Sequence, residues 1–204
     1  MAYNFSKVDF YSVKDNTNYF LDANIWLKIL VPKINATYKD KQYYNLFEQI
    51  IANTKCKIVV PALVLSEVIN RILRDVHMGK FISKLKKANP EFKPDSGFYK
   101  NVFRPSEEFI IAYTMVCYEI KNFHTSIQLI PDGLGTDFKF KHILSDPPKG
   151  LDFNDYFYYN ICKKNNYTII TDDKDFWVEG VEIVTLSQTL LDKSFAFNFP
   201  VVKE

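Results

Sequence analysis

"YTIITDDKDF", residues 167–176, opens as a run of β-branched and apolar residues and closes in three carboxylates. The first half, Tyr167–Thr171, has the composition of a short buried strand. The second half concentrates Asp172, Asp173 and Asp175 into four residues. Either these acids form a solvated turn, or they serve a site that needs concentrated negative charge. Outward from this stretch the same pattern recurs. "NYFLDAN" (18–24) reads as a buried strand ending in Asp22, and "IWLKILV" continues with helical spacing up to Pro32. "CKIVVP" (56–61) is a further buried strand, followed at once by a helix over "ALVLSEVINRILRDV" (62–76). Between them, residues 39–54 form an amphipathic helix with Tyr43, Leu46, Phe47, Ile50 and Ile51 on one face.

Downstream, the spacing predicts a short helix over 78–88 and irregular structure over 89–105, where Pro90, Pro94, Gly97 and Pro105 interrupt the pattern. A helix over 106–123 opens with Ser106 as its N-cap and acids in its first turn. A strand over 126–131 leads into a Gly- and Pro-punctuated connection, 132–150, that holds the alternating piece "DFKFKHIL". Then follow helix 153–165, strand 167–171, strand 181–185, helix 187–193 and a tail, "FAFNFPVV", expected to be extended. Strands alternating with helices point to a three-layer α/β/α fold around a central, mostly parallel sheet. Sites in such folds form outside the carboxyl ends of the strands. Asp22 and the Asp172/Asp173 pair both fall on that edge.

The length of 204 residues fits one domain, or one domain carrying an insertion, and a hydrophobic fraction of 47% supplies a core without staples. Residues 1–17 read as an N-terminal extension and 18–204 as a single domain with an insertion within 78–150. No run reaches the roughly 18 apolar residues of a membrane span, and "MAYNFSKVDFYSVKDNTN" lacks the apolar core of a signal peptide. Cys56, Cys117 and Cys162 lie far apart in apolar segments, as buried free thiols of a reducing cytoplasm would. A cytoplasmic, membrane-free protein is therefore expected.

Each acid has a structural explanation of its own. Asp22 can cap the helix that follows it, and Asp152 can do so for helix 153–165, with Asp155 at its third position. Glu67 can pair with Arg71 one turn on. Together the explanations weaken, because Asp22, Glu67, Asp155 and Asp173 all follow strands or open helices on one sheet edge. Two carboxylates about 4 Å apart repel by roughly 4 kcal/mol at an effective dielectric of about 20, so four would repel by on the order of 10 kcal/mol. That rivals the roughly 5–15 kcal/mol stability of a whole domain. Such a cluster takes up protons or binds hard cations. Oxygen ligands favour Mg²⁺ or Mn²⁺, while His77, His124 and His142 are too scattered to ligate. Carboxylate-held Mg²⁺ suits phosphate chemistry, and the lack of a Gly-rich phosphate loop argues against a P-loop ATPase or nucleotide kinase.

These blocks resemble a known family, the PIN-domain ribonucleases, whose fold serves VapC-type toxins and RNA-processing nucleases. "FLDANIWL" resembles the family's opening strand with its first catalytic acid, which places Asp22 in that role and Asn24 at the supporting polar position. "IVVPALVLSEVINRIL" resembles the second strand and the helix bearing the catalytic Glu, here Glu67. In "DYFYYNICKKNNYTIITDDKDF" the matching positions are Asp155, Thr171 and Asp173, with Asp175 and Phe176 in the closing "DF". The resemblance spans most of residues 18–186. It implies a PIN-like fold and a metal-dependent endoribonuclease that hydrolyses RNA phosphodiesters. Asp22, Glu67, Asp155 and Asp173 would be the catalytic acids and hold Mg²⁺ or Mn²⁺; Asn24, Thr171 and Asp175 would support them. RNA is the implied substrate, an antitoxin or other protein the implied partner, and a homodimer the candidate assembly. The long separation of Glu67 from Asp155 and the N-terminal extension depart from a minimal toxin. The rival readings are a catalytically idle PIN-like module that binds RNA or protein, and a metal-dependent phosphatase.

Positive charge is local. Lys80, Lys84, Lys86, Lys87, Lys93, Lys100 and Arg104 face only Glu91 and Asp95 between residues 80 and 104, whereas the whole chain carries +2. Lys84, Lys86, Lys87 and Arg104 are candidate RNA contacts, with Phe81, Phe92, Phe98, Tyr99 and Phe103 interleaved as stacking surfaces. The alternatives are a helix that buries the rings and leaves its lysines in water, and a partner-protein surface.

Overall fold

A computed structural model describes residues 3–31, 35–131 and 150–198. In chain order the regular elements are β1 (Asn4–Lys7), β2 (Asn18–Leu21), α1 (Ala23–Leu30), α2 (Tyr38–Ala52), β3 (Lys57–Pro61), α3 (Ala62–Arg71), α4 (Met78–Ala88), α5 (Glu107–Lys121), β4 (Ile127–Ile130), α6 (Phe153–Asn165), β5 (Thr168–Ile170), β6 (Glu182–Thr185) and α7 (Gln188–Asn198). The expectations for "DFKFKHIL", for His142 and for the tail beyond residue 198 lie outside the described residues.

The strands form one six-stranded sheet in the order β1–β6–β5–β2–β3–β4, and every pairing is parallel. This is the expected three-layer α/β arrangement. The central strands carry no polar face: Tyr19, Phe20 and Leu21 of β2, Ile58, Val59 and Val60 of β3, and Ile169 and Ile170 of β5 are all buried. Burial on both faces is what a helix-covered parallel sheet demands. Among the described residues no helix is long and apolar enough to cross a membrane.

The chain divides into two compact units, Met1–Ala62 with Thr125–Glu204, and Leu63–His124. The first unit holds the sheet. Residues 4–7, within the segment read as an N-terminal extension, form edge strand β1, paired in register with Glu182–Thr185 of β6. Tyr3 and Phe5 stack on Trp177 at centroid distances of 4.0 and 5.1 Å, which secures this edge. Helix α2 starts at a full capping box between Thr37 and Asp40, and α6 at Asp152, whose carboxylate accepts from the Asp155 N–H at 2.9 Å. α6 ends at Asn166 in the left-handed region (φ 55°), so its last carbonyls are capped without a glycine. Residues 195–198, expected to be extended, are instead the last turn of α7.

The second unit is all helix, and it begins before the 78–150 stretch expected to hold an insertion. The break expected between helices 62–76 and 78–88 does not occur. A π-helical stretch, Ile72–His77, carries α3 directly into α4. Such a stretch absorbs an extra residue without ending the helix. A second π-helical segment, Tyr99–Phe103, replaces part of the expected irregular region, and α5 follows with Ser106 as its side-chain cap, as expected. The unit's core is a chain of rings: Phe81, Phe92, Phe98, Phe103 and Phe109 contact one another at centroid distances of 5.5–6.0 Å.

Candidate active site

The strand order reverses its direction of growth between β2 and β5. From β2 the chain builds through β3 to β4 on one side, and β5 and β6 lie on the other. In open parallel sheets the carboxyl ends of the strands at such a switch point bound a crevice. Leu21 and Ile170 are partners in register there, so the next residues, Asp22 and Thr171, emerge side by side. The Asp22 N–H continues the ladder by donating to the Ile170 carbonyl at 3.0 Å.

Asp22 occupies the N-cap position of α1 but makes no side-chain cap bond, contrary to the helix-cap explanation of its presence. Its carboxylate turns to the neighbouring strand end. Oδ2 accepts from the Thr171 hydroxyl at 2.7 Å and from the Asn24 amide. Asp22 is only 7% exposed and Thr171 is fully buried. A buried carboxylate is tolerated when its oxygens are hydrogen-bonded, and two donors converge here on one oxygen. The Thr171 oxygen also accepts the Asp173 N–H at 3.0 Å, and the Asp173 carboxylate accepts the Asp175 N–H at 2.8 Å. Thr171 thus joins Asp22 to the turn that carries Asp173. Asn24 holds the same turn from the other side, its carbonyl accepting the Asp172 N–H at 3.3 Å. Asp173 is half-buried and Asp175 exposed.

Asp172 and Tyr43 form a second layer that the sequence patterns do not reveal. Asp172 lies 2.9 Å from the Lys39 ammonium and 3.4 Å from that of Lys28, which also reaches Asp40 at 3.3 Å. The Tyr43 hydroxyl is within bonding distance of the Thr171 carbonyl (3.0 Å) and of Asp172 (3.2 Å), and it accepts the Leu186 N–H at 2.7 Å. Burial, followed by the neighbouring Asp172 charge, pushes the Tyr43 phenol well above its usual range, so it keeps its proton and donates. The one legible signal was a tyrosine, where phenylalanine would serve, on the buried face of α2.

Asp155 is half-buried on the first turn of α6. It stands three residues before Tyr158, whose ring lies 5.2 Å from that of Phe20 in β2, so Asp155 shares the helix face turned towards that strand. Glu67 belongs to the second unit, where it lies 3.8 Å from Arg71 one turn further along α3. Of the basic candidates, Lys84 pairs with Glu108 at 2.7 Å, while Lys86, Lys87 and Arg104 are exposed. Of the aromatic residues among them, Phe98 and Phe103 are buried in the core of their own unit, while Phe81, Phe92 and Tyr99 are half-buried.

Among the described residues, no three Asp, Glu, His or Cys side chains are gathered closely enough to hold a metal ion. Mg²⁺, however, needs only one or two carboxylates when waters and substrate phosphates complete its shell. Asp22 and Asp173, flanking the Thr171 hydroxyl, are an all-oxygen donor set of that kind.

No family model and no curated protein matches the chain. One solved structure similar to it is the crystal structure of VapBC2 from Rickettsia felis bound to a DNA fragment from their promoter. The TM-score is 0.44 and the identity 15%, over 83% of this chain and 98% of the other.

Proposed function

We propose that this protein is a divalent-metal-dependent endoribonuclease whose centre is Asp22. One observation supports this above the rest: a buried carboxylate at the switch point of a parallel sheet, aimed at the next strand end rather than at the helix it precedes. The position is where such folds bind ligands. Asp22, Asn24, Thr171 and Asp173, joined there by hydrogen bonds, hold positions of the PIN-domain resemblance. Asp22 and Asp173, with Asp155 as a further acid, are the proposed ligands of Mg²⁺ or Mn²⁺. When bound, the ion polarises a phosphoryl oxygen and acidifies a water. Thr171 and Asn24 fix Asp22 Oδ2 in one orientation, and Asp175 holds Asp173 through the turn. Lys28 and Lys39 add positive charge beside the acids, which favours an approaching phosphodiester. A toxin role, with an antitoxin as partner, belongs to the same proposal.

Single-stranded RNA incubated with Mn²⁺, wild type beside Asp22→Asn, tests it. The expected result is cleavage by the wild type and at least a 100-fold loss in the variant. RNA bound but left intact by both proteins would make the chain a binding module. Turnover of a small phosphomonoester in place of RNA would make it a phosphatase.

A further inference from the structure

Helix α5 is apolar on two sides. Ala112 and Val116 are buried, as expected for the face that meets the unit's core. The outward face should then be charged. It instead carries Ile111 (51% exposed), Met115 (55%) and Tyr118 (64%), at spacings of four and three that form one continuous stripe. Beside this stripe runs a groove of about 210 Å³, shared with α4. Phe81, Phe103 and Ala112 line it, Ile111 and Met115 stand along the α5 side, and Lys80 and Lys84 along the α4 side. Lys87 extends the basic side by one more turn, in an adjoining hollow with Lys80 and Lys84. Glu108 is the acid at the groove, and it is held by Lys84. Contiguous exposed apolar surface rimmed by charge marks an interaction site.

We propose that this groove docks an acidic amphipathic helix of a partner protein. The channel between two helices accepts a third helix, whose apolar residues at i, i+3 or i+4 and i+7 would meet Ile111, Met115 and Tyr118. Acidic residues flanking that apolar seam would meet Lys80, Lys84 and Lys87. Nucleic acid fits the charge but less of the wall: Ile111 and Met115 are aliphatic, Phe103 is buried, and Tyr118 is the stripe's one ring for a base to stack on. A second copy of this chain is the wrong partner electrostatically. A two-fold interface presents the same patch twice, and the acid lining the groove, Glu108, is already held by Lys84, so a second copy brings Lys80 no counter-charge from this groove.

The test is a displayed library of helical peptides selected on the immobilised full-length chain. Enriched sequences should carry an apolar seam at helical spacing with Asp or Glu beside it. A labelled peptide from that set should bind at least 10-fold more weakly to Met115→Glu and to Lys80→Glu/Lys84→Glu, and rising salt should weaken it. Met115 is more than half exposed, so Met115→Glu should melt with the wild type, and circular dichroism checks this. Asp22→Asn should bind the peptide as the wild type does, which separates this surface from the nuclease proposal. The inference is overturned by any of three results. Selection yields nothing, or yields basic peptides insensitive to these variants. Single-stranded RNA displaces the peptide and shows the same dependence on Met115. Sedimentation finds a dimer of the chain that Met115→Glu dissolves.

Discussion

Replacing Tyr43 by phenylalanine removes one oxygen from a side chain that is 1% exposed and keeps its ring packing. That oxygen is the acceptor of the Leu186 N–H at 2.7 Å and lies 3.0 Å from the Thr171 carbonyl. Both backbone groups would be left buried without it. An unsatisfied buried donor or acceptor costs about 1–3 kcal/mol, so the variant should lose roughly 2–4 kcal/mol. With a urea dependence of about 2 kcal/mol per M, the midpoint should fall by about 1–2 M. Trp26 and Trp177 are the only two tryptophans and both belong to the sheet-bearing unit, so their fluorescence reports the unfolding of that unit alone. Asp172 would also lose a neutral donor, while Lys28 and Lys39 remain. If Tyr43→Phe unfolded within about 0.5 kcal/mol of the wild type, the hydroxyl would not be the tie between α2 and the two strand ends.

Thr171→Val keeps the shape of the side chain but deletes the donor to Asp22. Hydrogen bonds to charged groups are worth about 1.5–3 kcal/mol, so a stability loss of that size is expected, with Thr171→Ser restoring most of it in the same urea assay. Thiol labelling of the native protein should modify half-buried Cys117 first. Cys162, whose thiol burial raises well above its usual range, and Cys56, 2% exposed, should react only on unfolding. His77 is held below its ordinary value of 6.5 by burial, with Lys80 contributing. The unfolded chain therefore takes up this proton first on acidification. The stability it contributes is complete above the unfolded value and is lost as pH falls towards the folded one. His77→Gln should flatten that part of the pH–stability curve, and its NMR titration midpoint should lie below 6.5.

What could be read from the sequence follows the physics of each element. β2, β3 and β5 were legible because strands buried on both faces must be apolar runs. Asp22, Thr171 and Asp173 were legible as neighbours because parallel strands bring their carboxyl ends to one edge. β1 was not, since "NFSK" is only partly buried and has no alternating pattern. The π-helical stretches leave no compositional mark, and the ring-rich stretch 89–105 hid one of them. The alternation of "FAFN" suggested an extended tail, yet these residues complete α7. The helical spacing of residues 39–54 puts Tyr43 on the buried face, where it lies, but its hydroxyl chemistry depends on partners from distant strands that no local pattern contains. The Lys28–Asp172–Lys39 ion pairs escaped for the same reason.

The pairing of residues 4–7 with 182–185 also sets an order of assembly. On a ribosome the first of these segments emerges long before its partner exists. Until β6 arrives, β1 has no strand to pair with among the described residues, because β6 is its one neighbour in the sheet they form. Contacts this distant along the chain carry the loop-closure cost that slows folding. The seam between β1 and β6 is therefore the step in folding most dependent on the chain being finished. A pause in translation before residue 182 would leave the strands from β2 to β5 able to pair while β1 waits.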